Sequence, residues 1–331
     1  MAADTLNAGN NRIVTYLRLS VTDRCNLRCR YCMPPEGVSF VPHEEILSFE
    51  EMARVVRLSS LHGIRKVRIT GGEPLVRKGL TPFLKTLSSL EGLDEITLTT
   101  NGVLLEDYAR DLKNAGIRRI NISLDSLKPQ RFLKITGRDY FDKVIAGIRA
   151  AQEEGLSPIK INVVVMRGIN DDELLDFAAL ATEKPIHVRF IEFMPIGGKN
   201  GWRPEEFVSI DEMLEIIRQA WPLTPIESGK LDGPALKFRL GKGDGEIGLI
   251  GALSNHFCAK CNRLRLTAEG QLRGCLFSDQ EIDLKGPLRS GAGDDLLLEL
   301  MRRAVETKPE NHNLLRRGPR KCARLMSSIG G

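Results

Sequence analysis

The sequence has no long hydrophobic run and no strong excess of charge of one sign. None of its apolar stretches approaches the roughly 20 residues that a membrane-spanning helix requires. The segment from Met1 to Arg12 is polar and lacks the apolar centre of a secretion signal. The 48 Lys and Arg residues against 43 Asp and Glu leave a net charge of only +5, too small and too dispersed for a nucleic-acid-binding face. These absences predict a cytoplasmic protein that binds neither membranes nor nucleic acid.

The sequence also lacks the usual signatures of nucleotide hydrolases and of histidine-ligated metal enzymes. It contains no G-x-x-x-x-G-K-[ST] loop, so any nucleotide must be bound by another arrangement. Its five histidines do not cluster. The carboxylates near predicted strand ends, Glu73, Asp125 and Glu192, do not have the paired spacing of a hydrolase. The chemistry must therefore come from other residues.

Short β-rich runs alternate with helix-length segments between residues 14 and 195. The predicted strands are Tyr16–Val21, Lys66–Thr70, Glu95–Thr99, Arg119–Leu124, Ile159–Met166 and His187–Met194. The predicted helices are Phe49–His62, Leu80–Leu90, Leu105–Ala115, Phe141–Glu154 and Asp172–Thr182. Repeated βα units indicate parallel strands with crossover helices. Six units without a convincing seventh predict the α/β class and an incomplete (βα)₆ TIM-type barrel, with a doubly wound open sheet as the alternative.

The pattern changes after residue 195, where proline and glycine interrupt residues 195–204. Beyond this stretch we predict helices over Ile210–Ala220 and near Asp294–Thr307, and strands over Ala235–Leu240 and Glu246–Ile250. We therefore expect two domains, a partial barrel at residues 1–195 and a C-terminal extension at residues 196–331.

Polar and glycine-rich residues follow most of the predicted strands of the first domain. They are Cys25, Gly71-Gly72-Glu73-Pro74, Thr100-Asn101-Gly102, Asp125-Ser126 and Met194-Pro195. In βα barrels the reactive residues lie at the carboxyl ends of the strands. We expect these residues to gather on one rim.

The seven cysteines form two groups of three and one single residue, Cys322. The first group, Cys25, Cys29 and Cys32, has the spacing C-x3-C-x2-C and offers three thiolates from one loop. A [4Fe–4S] cluster has four irons, so three thiolates leave one iron open to a small molecule. A structural zinc site is the alternative, but it requires a fourth ligand that no neighbouring residue supplies. We favour an iron–sulfur cluster with a reactive open iron.

The second cysteine group again supplies three thiolates; its members are Cys258, Cys261 and Cys275. A zinc knuckle that takes a fourth ligand, such as His256, is one interpretation. Arg263 and Arg265 argue against a purely structural role. Guanidinium groups at positions i and i+2 of an extended segment point to the same side and suit an anionic ligand.

The motifs in combination resemble two nested families. Gly71-Gly72-Glu73-Pro74 at a strand end lets a ligand approach the backbone closely, and a carboxylate there is able to accept from an ammonium group. With the C-x3-C-x2-C loop on the preceding strand, it resembles the radical S-adenosylmethionine (SAM) superfamily. The two three-cysteine motifs together, with C-A-K-C-N-R-L-R at residues 258–265, resemble the GTP 3′,8-cyclase family of molybdopterin (molybdenum cofactor) biosynthesis. The resemblance covers essentially the whole chain, including the closing Ile329-Gly330-Gly331.

The resemblance implies two [4Fe–4S] clusters and SAM as cofactors, with the first cysteine group holding the SAM cluster and the second group holding the other. It implies that SAM is contacted by Tyr31, Gly72, Ser123 and Met194. It implies that GTP is contacted by Arg18, Arg68, Thr99, Lys160, Arg263 and Arg265. Arg263 and Arg265 also take the catalytic role, Arg189 is a further candidate for the triphosphate, and the Gly330-Gly331 tail is expected to reach the active site.

The implied reaction is the conversion of GTP to (8S)-3′,8-cyclo-7,8-dihydroguanosine 5′-triphosphate by a radical SAM lyase. The implied partners are an electron donor (flavodoxin or similar) and the downstream cyclic pyranopterin monophosphate synthase, with a possible homodimer. Two alternatives remain at this stage. One is a radical SAM maturase that acts on a peptide or protein with an auxiliary cluster, and the other is a non-enzymatic metal-binding module.

Overall fold

The computed structural model describes residues 5–8, 12–34, 37–183, 186–197, 201–229, 232–241, 245–311, 322 and 324–330. The described strands are β1 (Asn7–Ala8), β2 (Arg12–Ile13), β3 (Tyr16–Ser20), β4 (Lys66–Thr70), β5 (Glu95–Thr100), β6 (Ile120–Ser123), β7 (Ile159–Val165), β8 (Ile186–Glu192), β9 (Leu223–Ile226), β10 (Leu236–Leu240), β11 (Glu246–Ile250), β12 (Arg263–Leu266), β13 (Gln271–Arg273) and β14 (Ile282–Asp283). The described α-helices are α1 (Phe49–Leu61), α2 (Leu80–Ser88), α3 (Leu105–Asn114), α4 (Pro129–Thr136), α5 (Phe141–Glu153), α6 (Leu174–Glu183), α7 (Ile210–Ala220), α8 (Lys285–Arg289) and α9 (Asp294–Glu306). None of these helices is long and apolar enough to span a bilayer.

A twelve-stranded sheet dominates the fold, in the order β14-β13-β12-β3-β4-β5-β6-β7-β8-β11-β10-β9. The predicted strands β3 to β8 lie side by side and parallel in its centre, which confirms the α/β class with a central parallel sheet. The sheet contains two parallel strands beyond these six. The C-terminal residues add β12 parallel to β3 at one edge and β11 parallel to β8 at the other. The alternation of βα units does not reveal these strands, because neither follows its sheet neighbour in sequence.

The central strands carry apolar and cationic residues in alternation. Leu17 and Leu19 flank Arg18 on β3, and Val67 and Ile69 flank Arg68 on β4. Successive side chains of a strand point to opposite faces. The leucine, valine and isoleucine residues belong to the main hydrophobic core. The arginines therefore lie on the opposite face, which is the interior of the curved sheet.

The curvature of the sheet follows from the residues that share one cavity. Arg263 on β12 and Arg189 on β8 line the same cavity, although five strands separate β12 from β8. In a flat sheet six strand spacings span roughly 29 Å. The sheet must therefore curl around an interior space. The predicted domain boundary lies just after β8, and the sheet continues across it.

Two helices, α4 and α5, connect β6 to β7, where the sequence analysis predicted one. Helix α4 has only eight residues and begins at Pro129, whose ring is compatible with a first helical turn. It ends at Gly137, whose φ of 67° provides the left-handed cap. This short helix packs beside the first cysteine loop and matters for the site below.

Candidate functional site

The first cysteine group lies in a loop at the carboxyl end of β3. Cys25, Cys29 and Cys32 are free, partly buried thiols that line one interior cavity. The backbone N–H groups of Cys32 and Met33 donate to Cys29 O, at 2.9 and 3.0 Å. The loop is also fixed from outside, since Arg28 N donates to the carbonyl of Thr136 at the end of α4 (2.8 Å).

The surroundings of this group disfavour free thiolates. Burial, and then the charge of Glu73, raises the pKa of Cys25 to about 11. Burial and the neighbouring Cys32 and Asp125 likewise raise the pKa of Cys29. Iron stabilises thiolates that the protein alone does not, and three sulfur donors facing one cavity suit a cluster with one open iron. In the described residues no three His, Cys, Asp or Glu side chains are grouped to hold a single metal ion.

Glycine is required at the turn that follows β4. A Cβ on Gly72 would lie 2.3 Å from Arg24 O and 2.7 Å from Asp23 O. The absence of a side chain lets this turn lie directly against the cysteine loop. Gly72 lines the cavity together with the other three expected SAM contacts, Tyr31, Ser123 and Met194. The fold therefore brings this predicted set together.

Glu73, which the sequence suggested as an acceptor for an ammonium group, also has a structural role in the fold. Its carboxylate is fully buried and accepts hydrogen bonds from Leu75 N, Asn101 N and the Thr100 hydroxyl, at 3.0, 2.6 and 2.7 Å. Burial raises its pKa to about 7 despite these bonds. Glu73 therefore holds two strand-end loops together.

Asp125 is a site residue that the sequence analysis placed at a strand end without a role. It lines the cavity and accepts a 2.6 Å hydrogen bond from the Tyr31 hydroxyl, while its other oxygen accepts from Val164 N at 2.8 Å. Burial raises the pKa of Asp125 to about 6, and these two hydrogen bonds oppose the rise. Asp125 therefore orients Tyr31 beside the cysteines.

Three arginines form one register row across neighbouring parallel strands. Arg265 of β12 is paired with Arg18 of β3, which is paired with Arg68 of β4. All three are buried. Like charges on adjacent strands repel, and burying them without an anion is unfavourable. The row is therefore suited to an anionic ligand.

The positive charge of the arginine row affects the groups next to it. Burial raises the pKa of Tyr16, but the charges of Arg68, Arg18 and other cations outweigh burial and lower it to about 8. Arg68 Nε and Thr99 Oγ1 are buried and have no hydrogen-bond partner within the described part of the chain. Arg18, Arg68, Thr99 and Arg263 all line the cavity that contains the cysteines. These four predicted GTP contacts thus share one cavity, and Arg68 and Thr99 each keep a polar atom for a ligand.

Lys160 on β7 and Arg189 on β8 lie on the side of the sheet away from β12, and we call them the far wall of the site. Arg189 lines both the main cavity and a smaller pocket next to it, and Lys160 lines the smaller pocket. Burial and the charge of Arg189 lower the pKa of Lys160 to about 7. Glu246 Oε1, 3.6 Å from Lys160 Nζ, acts in the opposite direction.

Sequence reasoning missed two cations of this smaller pocket, Lys66 and Arg119. Lys66 Nζ lies 2.9 Å from Glu95, and the Arg119 guanidinium is paired with the same carboxylate. A signal for Lys66 was present, because it lies two residues before Arg68 on one strand and therefore on the same face. Arg119 has no such signal, since it precedes β6.

The second cysteine group lies among cations. The Lys308 ammonium donates to Gly274 O at 2.7 Å and to Arg263 O at 2.8 Å, and lies 3.3 Å from Cys261 Sγ. Burial opposes ionisation of Cys261, but Arg263 and Lys308 prevail and lower its pKa to about 6. Burial and the charges of Arg18 and Arg263 lower the pKa of Arg265, whereas the charges of Cys275 and Cys261 oppose this fall. The three cysteines are partly buried and form no disulfide, and Cys261 and Cys275 lie near Arg265 of the arginine row.

The C-terminal tail enters the same region. Gly330 O accepts from Arg18 Nη2 at 3.0 Å and from Arg265 Nη1 at 3.2 Å, and Met326 and Ser327 line the cavity. Arg324 anchors the tail through ion pairs with Glu269 and Glu281. The expectation that the tail reaches the site is confirmed for Gly330, while Gly331 lies outside the described residues.

Two family models match the chain. Residues 19–181 match the Radical SAM superfamily, and residues 186–314 match Molybdenum Cofactor Synthesis C. The GTP 3′,8-cyclase of Heliobacterium modesticaldum is 51% identical over 321 residues, which cover 97% of this chain and 98% of that protein. The GTP 3′,8-cyclase of Desulforamulus reducens is 53% identical over 322 residues, with the same coverage of both chains.

Among solved structures, SuiB of Streptococcus suis bound to S-adenosylmethionine is similar, with a TM-score of 0.62 and 16% identity. The match covers 88% of this chain and 69% of SuiB. SuiB bound to its precursor peptide SuiA gives a TM-score of 0.62 at 15% identity and covers 96% of this chain and 77% of that chain. At such identities the likeness shows the fold alone.

The fold, the cysteine-lined cavity and the matched superfamily define a radical SAM enzyme, a class that uses a [4Fe–4S] cluster and SAM. Identities of 51% and 53% over nearly the full length show further that the chain belongs to the GTP 3′,8-cyclase family. Family membership sets aside the alternative of a non-enzymatic metal-binding module. The alternative of a peptide maturase has only the shared fold in its favour.

Proposed function

We propose that this chain converts GTP to (8S)-3′,8-cyclo-7,8-dihydroguanosine 5′-triphosphate, the first step of molybdenum cofactor biosynthesis. The observation that carries the proposal is that Arg18, Arg68 and Arg263 line the same cavity as the three cysteines of the first group. One enclosed space thus combines soft metal ligands with several cations for a triphosphate. A peptide substrate gives no reason to bury such a row of charges.

The SAM end of the cavity is built from the first cysteine loop. Its thiolates would hold a [4Fe–4S] cluster and leave one iron for the methionyl part of SAM. When bound, the cluster and SAM supply a 5′-deoxyadenosyl radical by one-electron cleavage of the sulfonium. Tyr31, held by Asp125, and the exposed backbone at Gly72 position SAM from two sides, with Ser123 and Met194 completing the contact surface.

The GTP end of the cavity is built from the arginine row and the far wall. Arg18 and Arg68 bind phosphate oxygens through paired N–H donors. Lys160 and Arg189 extend the same positive lining into the smaller pocket, and we expect them to attract the end of the triphosphate. Thr99 offers a buried hydroxyl with free hydrogen-bonding capacity towards the nucleoside.

The second cysteine group would hold a second [4Fe–4S] cluster and leave one iron for the guanine base. Arg263 lines the main cavity, and Arg265 belongs to the arginine row near Cys261 and Cys275, so we assign to both a contact with the nucleotide and the catalytic role. In the proposed reaction a hydrogen atom moves from C3′ of the ribose to the deoxyadenosyl group, which leaves as 5′-deoxyadenosine. The C3′ radical then adds to C8 of guanine, and the resulting nucleotide radical takes up one electron from the electron donor and one proton to give the 7,8-dihydro product. The surrounding sheet excludes water from these steps.

The wider proposal keeps the expected architecture and partners. It describes residues 1–195 as an incomplete six-unit barrel and residues 196–331 as an extension with the second cluster. The enzyme is proposed to lie in the cytoplasm and to receive electrons from flavodoxin or a similar donor. Its product is the substrate of cyclic pyranopterin monophosphate synthase. A homodimer is the proposed assembly.

The test is anaerobic incubation of reconstituted protein with SAM, dithionite and GTP. We expect 5′-deoxyadenosine and a cyclised nucleotide in comparable amounts, and neither ATP nor the SuiA precursor peptide should replace GTP. Formation of 5′-deoxyadenosine without any cyclised nucleotide would show that GTP is not the substrate.

A further inference from the structure

A concave surface with charge of a single sign lies outside the active-site cavity, next to the first cysteine loop. We call it the basic groove. Its lining residues are Arg28, Arg30, Met33, Gly37, Val38, Lys134, Ile135, Gly137 and Arg138. The lining thus contains four cationic and no acidic side chains among the described residues. Its cations come from the cysteine loop and from the end of α4.

Most of the charge in the basic groove is not neutralised by the protein. Arg30 is paired with Glu206 at 2.8 Å. In the part of the chain that the structure describes, Arg28, Lys134 and Arg138 have no carboxylate within ion-pair distance. Lys134 and Arg138 are exposed. By contrast Arg131, on the same helix, is paired with Asp172. Within the described residues the groove therefore presents three positive charges that no carboxylate pairs with.

The basic groove is separated from the active-site cavity by very little protein. Met33 lines both the groove and the cavity with the cysteines, and it is 2% exposed. Arg28 reaches the cluster loop directly, since its Nη1 donates to the carbonyls of Cys25 and Leu27, both at 2.7 Å. A partner in this groove thus lies one side chain from the first cysteine group.

We propose that the basic groove is the docking surface for a small acidic electron-carrier protein that reduces the first cluster. This inference rests on the proposed function, because that function requires one electron for each SAM molecule cleaved. Complementary charge raises the association rate of two proteins and fixes their orientation. In the docked complex one electron leaves the redox centre of the carrier and enters the cluster. The transfer itself forms and breaks no bond.

The test compares two reductants on one charge-reversed variant. Lys134→Glu/Arg138→Glu changes two exposed groove residues that touch neither the cysteines nor the active-site cavity. A matched control, Lys85→Glu/Arg218→Glu, makes the same change at exposed positions on α2 and α7. The measurements are the Kd for a purified acidic flavodoxin and the rate of 5′-deoxyadenosine formation with reduced flavodoxin or with dithionite.

We expect the groove variant to bind flavodoxin at least about tenfold more weakly and to lose a similar factor in the flavodoxin-supported rate. Its rate with dithionite should equal that of the wild type, and the control variant should behave as the wild type with both reductants. Three outcomes would overturn the inference. These are an unchanged flavodoxin rate, an equal fall with dithionite, or an equal fall in the control variant.

The outcome for the groove is independent of the outcome for the substrate. Formation of 5′-deoxyadenosine reports the cleavage of SAM, whether or not GTP is cyclised. If GTP is not the substrate, no cyclised nucleotide will form with either reductant. The ratio of the flavodoxin-supported to the dithionite-supported rate will still decide whether the basic groove receives the carrier.

Discussion

Each of the two cysteine groups has three thiols, but the electrostatic surroundings of the two groups are opposite. At the first group, burial and the charge of Glu73 raise the pKa of Cys25 to about 11, and Asp125 lies beside Tyr31. At the second group, Arg263 and Lys308 overcome burial and lower the pKa of Cys261 to about 6. One end of the site is thus lined by carboxylates and the other by cations.

This difference matches the charges of the two proposed ligands. SAM carries a sulfonium and an ammonium group, which suit the end with carboxylates nearby. GTP carries a triphosphate, which suits the end with the arginine row. The charge distribution therefore favours SAM at one end of the site and GTP at the other.

The largest expected effect comes from removing one thiol from each group in turn. Cys29→Ser should abolish both 5′-deoxyadenosine and the cyclised nucleotide, because the first cluster is lost. Cys261→Ser should abolish the cyclised nucleotide but leave 5′-deoxyadenosine formation, because SAM binds at the other end. Both products are quantified by chromatography together with iron content. Loss of SAM cleavage in Cys261→Ser would show that the two ends do not act separately.

Arg265→Ala tests the cationic end without removing a metal ligand. We expect kcat/KM for GTP to fall by about 100-fold or more, because a buried guanidinium aimed at the reacting anion is lost. Iron analysis should still give about eight irons, as two cubane clusters require. Arg265→Lys is the control for charge alone and should recover only part of the activity. Loss of four irons in Arg265→Ala would make this arginine structural.

Arg324→Ala tests the tail that crosses between the two ends. Arg324 pairs with Glu269 and Glu281, so its removal should loosen the segment that places Gly330 against Arg18. We expect kcat for cyclisation to fall about tenfold, because a positioning contact is lost while every ligand-binding residue is kept. SAM binding, measured by equilibrium titration, should not change. A weaker affinity for SAM would assign the tail to the other end.

The smallest expected effect is a pH dependence of GTP binding. Burial and Arg189 lower the pKa of Lys160 to about 7 in the free protein, so its ammonium is present below that pH and is lost above it. Bound triphosphate stabilises the charged form, so GTP affinity should decline as pH rises above 7, by up to about tenfold per unit. In equilibrium titrations of Lys160→Arg, the decline of GTP affinity above pH 7 should be much smaller. A profile of Lys160→Arg that is identical to the wild type would exclude Lys160 as the titrating group.

The sequence predicted well those features that depend on local spacing. The C-x3-C-x2-C loop, the glycine pair at residues 71–72 and the six central strands were all found, because each leaves a pattern within a few residues. Strand β11 matched its predicted range, Glu246–Ile250, and only its parallel position beside β8 was missed. The register row of Arg265, Arg18 and Arg68 was not predictable, because its members lie far apart in sequence and meet only through sheet pairing.

Residues whose roles depend on long-range contacts were also missed. Lys308 reaches Cys261 from beyond α9, and Asp125 reaches Tyr31 from the end of β6. Glu73 has a structural role that its motif did not indicate. Its oxygens accept hydrogen bonds from two loops, one of which is adjacent only in the folded chain. A motif indicates which residues matter, whereas the hydrogen-bond partners determine what each one does.

The central claim is that a radical made at the first cysteine group acts on GTP held beside the second. Incubation with GTP deuterated at C3′, followed by mass spectrometry of the 5′-deoxyadenosine, tests it most directly. The account predicts that the deuterium moves into 5′-deoxyadenosine and that a cyclised nucleotide forms without it. Unlabelled 5′-deoxyadenosine alongside cyclised nucleotide that retains the deuterium would contradict the account.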